Sequence, residues 1–191
     1  MSCTSQSEKS VTAWQEICQR DDGDLSRISL YRMKIPSEWV RQDPSTHESL
    51  TDTTKANCTF TWNTPAGPIM ITIYSFPYHD VNQRVPPEAQ IARWKRQFQR
   101  LDIEQVTPQA FSGFSGLLFE GSGQLDSEDK TMMGWTMGIS PMYTARLRAP
   151  ELVHTRADWT IKIVGPANVM ALYRSELFAT ARTFELIKEI Q

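Results

Sequence analysis

Hydrophobic positions along the chain recur with two different periods, and the places where the period changes mark out strands and helices. The segment Trp159–Val164 (WTIKIV) alternates strictly and predicts a strand with one buried face. Cys58–Trp62 and Ile69–Phe76 read as two more strands. Asn63-Thr64-Pro65-Ala66-Gly67-Pro68 lies between them, and its turn chemistry predicts a hairpin. Arg27–Ile35 alternates well enough for a strand with Ile28, Leu30 and Met33 facing inward. Pro36-Ser37-Glu38-Trp39 ends it, because proline cannot donate to a ladder.

Two segments have helical spacing instead. In Pro86–Leu101, Ile91, Trp94, Phe98 and Leu101 form one apolar stripe, and Pro86-Pro87 suits a first turn whose amide protons lack partners anyway. In Pro166–Lys188, the stripe is Val169, Tyr173, Leu177, Thr180, Phe184 and Ile187. A shorter helix is predicted over Val11–Arg20, with Trp14, Ile17 and Cys18 on one side, closed by the turn Asp21-Asp22-Gly23-Asp24. That acidic turn lacks the ligand positions of a calcium loop.

Ile103–Val106, Phe111–Phe114 and Leu117–Glu120 read as short strands punctuated by Pro108, Gly113, Gly116 and Gly121. Gly121–Lys130 reads as an acidic loop, and Met132–Ile139 as a strand interrupted by two glycines. Ser140–Arg156 carries Arg146, Arg148, His154 and Arg156. It reads either as a strand at Tyr143–Leu147 or as a long excursion, and long loops in compact domains are often functional. The prediction is an α+β fold in which an antiparallel sheet is flanked by helices. Residues 11–191 form its single domain, and residues 1–10 are a flexible polar tether.

Composition narrows the function. The chain has 191 residues, of which 40% are hydrophobic and 22% charged, with six tryptophans and a net charge of −2. That balance argues against a general nucleic-acid binder. Trp94 and Phe98, the stacking platforms such a role would use, lie on the core stripe. Charge is nonetheless segregated. Arg84, Arg93, Lys95, Arg96 and Arg100 oppose one acid, Glu88, while Glu120, Asp126, Glu128 and Asp129 oppose only Lys130. The simplest reading is two solvated faces, and an anionic partner for the basic one is the alternative.

Catalytic signatures are sparse. There is no GxGxxG after a strand, no GK[ST] and no GxSxG, and His47, His79 and His154 form no HxxxH or HExxH pair. Cys58 with His79 or His154 could be drawn as a nucleophile and base, which would make a small hydrolase or ligand-binding enzyme. The other reading of Cys58, at the head of a strand, is a small buried hydrophobe. No cofactor or metal is predicted. No apolar run reaches the roughly 18–20 residues of a membrane span. Cys3, followed by a Ser/Thr-rich stretch to Ser10, is open to two readings: a chance cysteine on an ordinary terminus, or the lipidated residue left after a lipoprotein leader is trimmed.

Three segments, in this order and spacing, resemble bacterial lipoproteins of the PsbP/Mog-type fold. They are Ile35-Pro36-Ser37-Glu38-Trp39, Arg93-Trp94-Lys95-Arg96-Gln97-Phe98, and Ile161-Lys162-Ile163-Val164-Gly165-Pro166 running into the last helix. The likeness extends over about Leu30–Ile187. It implies an α/β/α sandwich and favours lipidation at Cys3, but it supplies no active site. The resulting expectation is a non-enzymatic binding or assembly module of the bacterial cell envelope, periplasm-facing and held to the membrane only through its lipid. Its partner would be an envelope protein or another anionic component, met by Arg93, Lys95, Arg96 and Arg100 and by Arg146, Arg148 and Arg156. A cytoplasmic adaptor is the further alternative.

Overall fold

In a computed structural model of the chain, the described residues are 11–17, 31–43, 56–78, 80–139 and 157–187. Cys3, His47, His79, His154, Arg146, Arg148 and Arg156 lie outside them. So do the tether and the question of a strand at Tyr143–Leu147.

Two antiparallel sheets make up most of the architecture. In the larger, the strands follow the order β3-β4-β5-β9-β8-β7-β6: β3 Trp39–Gln42, β4 Cys58–Thr64, β5 Gly67–Pro77, β9 Ala157–Pro166, β8 Glu128–Ile139, β7 Phe114–Leu125 and β6 Arg100–Phe111. A three-stranded sheet has β2 Tyr31–Pro36 between β1 Thr12–Ile17 and the two-residue β10 Glu185–Leu186. Two helices complete the fold, α1 Pro87–Lys95 and α2 Ala167–Ala181.

The alternation of β9 settles which face is core. Trp159, Ile161 and Ile163 point one way, and their register partners Ile73 and Ile71 on β5 and Met137, Trp135 and Met133 on β8 point with them. This face is sealed by α2, through Val169, Met170, Leu177 and Ala181, and by Tyr31, Met33 and Ile35 of the small sheet. Tyr31 stacks on Phe184 at 5.5 Å and meets Trp159 at 4.3 Å, so aromatic packing ties the two sheets together. On the opposite face α1 builds a second, smaller core in which Ile91, Trp94 and Phe98 pack on Phe119, Leu125 and Met132. The layering is therefore α/β/α, with the small sheet added to the α2 side.

The 58–62 and 69–76 strands and their hairpin stand as predicted, the first running on to Thr64 and the second spanning Gly67–Pro77. Several boundaries differ, each for a physical reason. Residues 12–17 form a strand and not a helix, because every one of them pairs with β2 and a six-residue segment gains more from a ladder than from one helical turn. Trp14 is accordingly no core residue. It is exposed, with Arg32 and Lys34 over its ring. Pro36 ends β2 as expected, but Trp39 then opens β3, since the Ser37-Glu38 turn carries the chain from one sheet to the other.

Both helices are shorter than their stripes. Helix α1 stops at Lys95, and Phe98 and Leu101 continue its apolar line from a turn and from β6. Helix α2 stops at Ala181, and Phe184, only 1% exposed, is buried from the turn that follows. The three short strands over 103–120 are in fact two twelve-residue strands. They are joined by Ser112-Gly113, which both adopt positive φ, the geometry of a tight hairpin turn. The acidic loop is likewise a hairpin tip, with Asp126 and Ser127 at positive φ between β7 and β8.

Candidate functional site

Helix α1 is short and lies over β7 and β8, so among the described residues no helix covers the outer face of β3, β4 and β5. Residues there have the parity opposite to the core. Val40, paired with Thr61, is 54% exposed, and Met70 is 53% exposed. A hollow of about 650 Å³ runs along this face beside α1, with Thr61, Met70, Thr72, Gln97, Lys162 and Val164 among its lining. A smaller one of about 60 Å³ adjoins it, bounded by Tyr74, Phe76, Arg93 and Trp94. Gln97 and Lys162 line both, which puts Lys162 at their junction.

Strand β9 delivers Lys162 there. Its neighbours Ile161 and Ile163 are locked in the core, so the pleat sends Lys162 to the open side between Thr72 of β5 and Gly134 of β8. The Thr72 hydroxyl donates to the Lys162 carbonyl at 3.3 Å. Among the described residues the Lys162 ammonium has only a long contact, 3.5 Å, to the Gln97 side-chain oxygen. Burial holds its pKa below the ordinary lysine value, repulsion from Arg93 lowers it further, and the attraction of Asp126 opposes both. No carboxylate among the described residues forms an ion pair with it.

The other charges of this face are largely satisfied. Lys95 pairs with Glu104 at 2.9 Å and Arg100 with Asp102 at 2.7 Å. Lys130 lies between Glu128 at 3.0 Å and Asp126 at 3.4 Å. Of the basic residues singled out on the first helix, Lys95 and Arg100 are thus already neutralised. Arg93 is exposed and borders the smaller hollow, while Arg96 caps α1 and is exposed.

Cys58 belongs to neither hollow. It is 0% exposed, faces the larger core from β4, and is out of reach of any substrate. The nucleophile drawn from the sequence is therefore a core residue, and His79 lies outside the described residues. The described residues hold no group of three or more metal-ligating side chains, and no helix among them is long and apolar enough to cross a membrane.

Lys162 is the site residue that motif reading passed over, although it sits inside the IKIVGP segment. The signal was available: strict alternation puts Lys162 on the face opposite the core positions Ile161 and Ile163. One consequence is measurable. Replacing Lys162 by methionine is expected to stabilise the fold, by roughly 0.5–1 kcal/mol at neutral pH, because it removes a desolvated charge. In the native chain the folded-state pKa is the lower one. Stability should therefore rise with pH between that value and the unfolded-state value, and this rise should vanish in Lys162→Met. Urea titrations at pH 7 and in the alkaline range check both.

No protein-family model matches the chain, and no curated protein does. Solved structures do, and they define a class: the chain has the PsbP-like fold. Cyanobacterial PsbP (CyanoP) from Synechocystis sp. PCC 6803 superposes with a TM-score of 0.52 at 9% identity, over 97% of this chain and 99% of that one. LpqN of Mycobacterium tuberculosis, described as involved in cell envelope biogenesis, gives 0.52 at 11% identity over 92% and 91%. PA94 of Pseudomonas aeruginosa, a protein of unknown function, gives 0.48 at 13% identity over 80% and 88%. At these identities the first two likenesses establish the fold alone.

Proposed function

We propose that this chain is a non-enzymatic binding and assembly module of the bacterial cell envelope, anchored through Cys3, with the outer sheet face beside α1 as its contact surface. The observation that carries the reading is Lys162, a partly buried ammonium with no carboxylate ion pair among the described residues, at the α1 edge of that face. Side chains kept in such a state at a cost in stability are characteristic of functional surfaces. The role described for LpqN, which has the same fold, supports the envelope compartment.

The partner is anionic where it touches Arg93, Arg96 and Lys162. Lys95 and Arg100 contribute less, since Glu104 and Asp102 already hold them. Arg146, Arg148 and Arg156 form a second proposed contact. Capture of partners from envelope extracts tests this. Reversing Arg93, Arg96 and Lys162 together to glutamate is expected to abolish capture, while the Lys95/Arg100 reversal weakens it only a few-fold. Cys3→Ser should move the protein from the membrane fraction to the soluble one. Capture that is unchanged by the triple reversal would remove the assignment.

A further inference from the structure

The charged groups and the apolar wall around Lys162 lie largely apart, with Thr61, Thr72 and Gln97 among them, and this arrangement indicates what the hollow would hold. Its cationic end is formed by Lys162 and by Arg93, which reaches the adjoining smaller hollow from α1. From Lys162 the larger hollow continues along β9 past Val164 to Pro166, four residues on, or about 13 Å of strand. Met70 and Leu125 give this stretch further apolar wall. Beyond it Asp126 and Glu128 bracket Lys130, with Asp126 also near enough to attract the Lys162 ammonium. The volume, about 650 Å³, falls in the range of small-molecule sites and is small for a docked protein element.

We propose that this hollow binds a small amphiphilic monocarboxylate, its head on Lys162 and Arg93 and its apolar body along Met70, Val164 and Leu125. Two features select a single carboxylate over a phosphate. Among the described residues Lys162 and Arg93 are the cations at this end, since Lys130 further along is held by Glu128 and Asp126, and those acids, on a chain of net charge −2, repel a more highly charged ligand. The Gln97 side chain, whose contact to the ammonium is long, yields its place to the incoming head. A carboxylate there would neutralise the ammonium that burial and Arg93 disfavour, so binding and the cost of keeping Lys162 charged are linked. The proposal rests on the reading of this face as the functional surface, and it adds the chemistry of the ligand.

Calorimetric titration of the full chain with decanoate, decanol and decyl phosphate, each below its aggregation threshold, provides the test. Decanoate is expected to bind at least tenfold more tightly than decanol. Lys162→Met should weaken decanoate at least tenfold, and Thr61→Trp, which fills the hollow from its rim, should abolish binding while circular dichroism stays native. Equal affinity for decanol, tighter binding of decyl phosphate, binding indifferent to both substitutions, or no binding at all would each overturn the proposal. Partner capture that still responds to the triple charge reversal would then leave the binding-module reading standing and only the ligand wrong.

Discussion

Gly134→Val is expected to lower the stability of the fold by about 3–4 kcal/mol, the largest effect of any single substitution considered. Glycine in the middle of a central strand ordinarily weakens it, having no side chain to pack. Here the missing side chain is the seat of Trp94, whose ring lies so close over Gly134 that even a single Cβ would fall within 2.5–2.8 Å of its atoms. Trp94 is 2% exposed and centres the core that holds α1 to the sheet, with Phe119 at 6.4 Å. Valine must expel the indole, so the cost combines overpacking with most of the loss from truncating a buried tryptophan. Trp94→Ala should cost a similar amount, and the double substitution far less than the sum, because both act on the same contact. Urea denaturation of the four proteins measures the cycle. Additive losses would mean that Gly134 and Trp94 are not coupled in this way.

The second large effect belongs to the segment leading into α1. Arg84 makes a bidentate ion pair with Asp158 of β9, its Nε at 3.1 Å from both carboxylate oxygens and its Nη2 on Oδ1, and it also lies over the Tyr78 ring at 5.2 Å. The Asp158 side chain is 9% exposed and that of Arg84 26%, so the pair is shielded but not fully buried. Arg84→Ala is expected to cost about 2–3 kcal/mol, below the 3–5 typical of deeply buried pairs, because it strands a carboxylate against the sheet. Replacing both residues by apolar ones of similar size should recover most of the loss. Gly138, the second glycine of β8, lies directly beneath this pair and leaves it room. Thermal unfolding of Arg84→Ala and Gly138→Ala should show the same defect. A melting temperature unchanged by Arg84→Ala would show that the pair does not pin the segment.

These two glycines show what the sequence could and could not disclose. Their presence in MMGWTMGI was plain, and a strand was the correct reading. Their purpose was hidden, because the groups that need the space, Trp94 and the Arg84–Asp158 pair, come from elsewhere in the chain. Strict alternation in WTIKIV predicted β9 and its core face without help, since a two-residue period admits only one burial assignment. Helix starts were legible from Pro86-Pro87 and Gly165-Pro166. Helix ends were not, because Phe98 and Phe184 prolong the apolar stripe from turns beyond Lys95 and Ala181, and periodicity cannot tell a packed turn from a further helical one.

Residues 12–17 were misread for the complementary reason, as only the presence of β2 makes them a strand. The candidate site was half legible. The basic character of α1 was evident, but which cations remain unneutralised depends on Glu104 and Asp102, partners brought close by β6. Lys162 stands in a segment that carries the family likeness, and its place emerges only from α1 packing on β7 and β8 and not on the β5 side of β9.

The account turns on Lys162 being kept for contact and not for folding, and the single substitution Lys162→Met tests this in one protein. Partner capture from envelope extract should fall at least tenfold in a variant whose unfolding midpoint is equal to or above that of the native chain. Undiminished capture, or a loss of capture that merely follows a loss of stability, would contradict it.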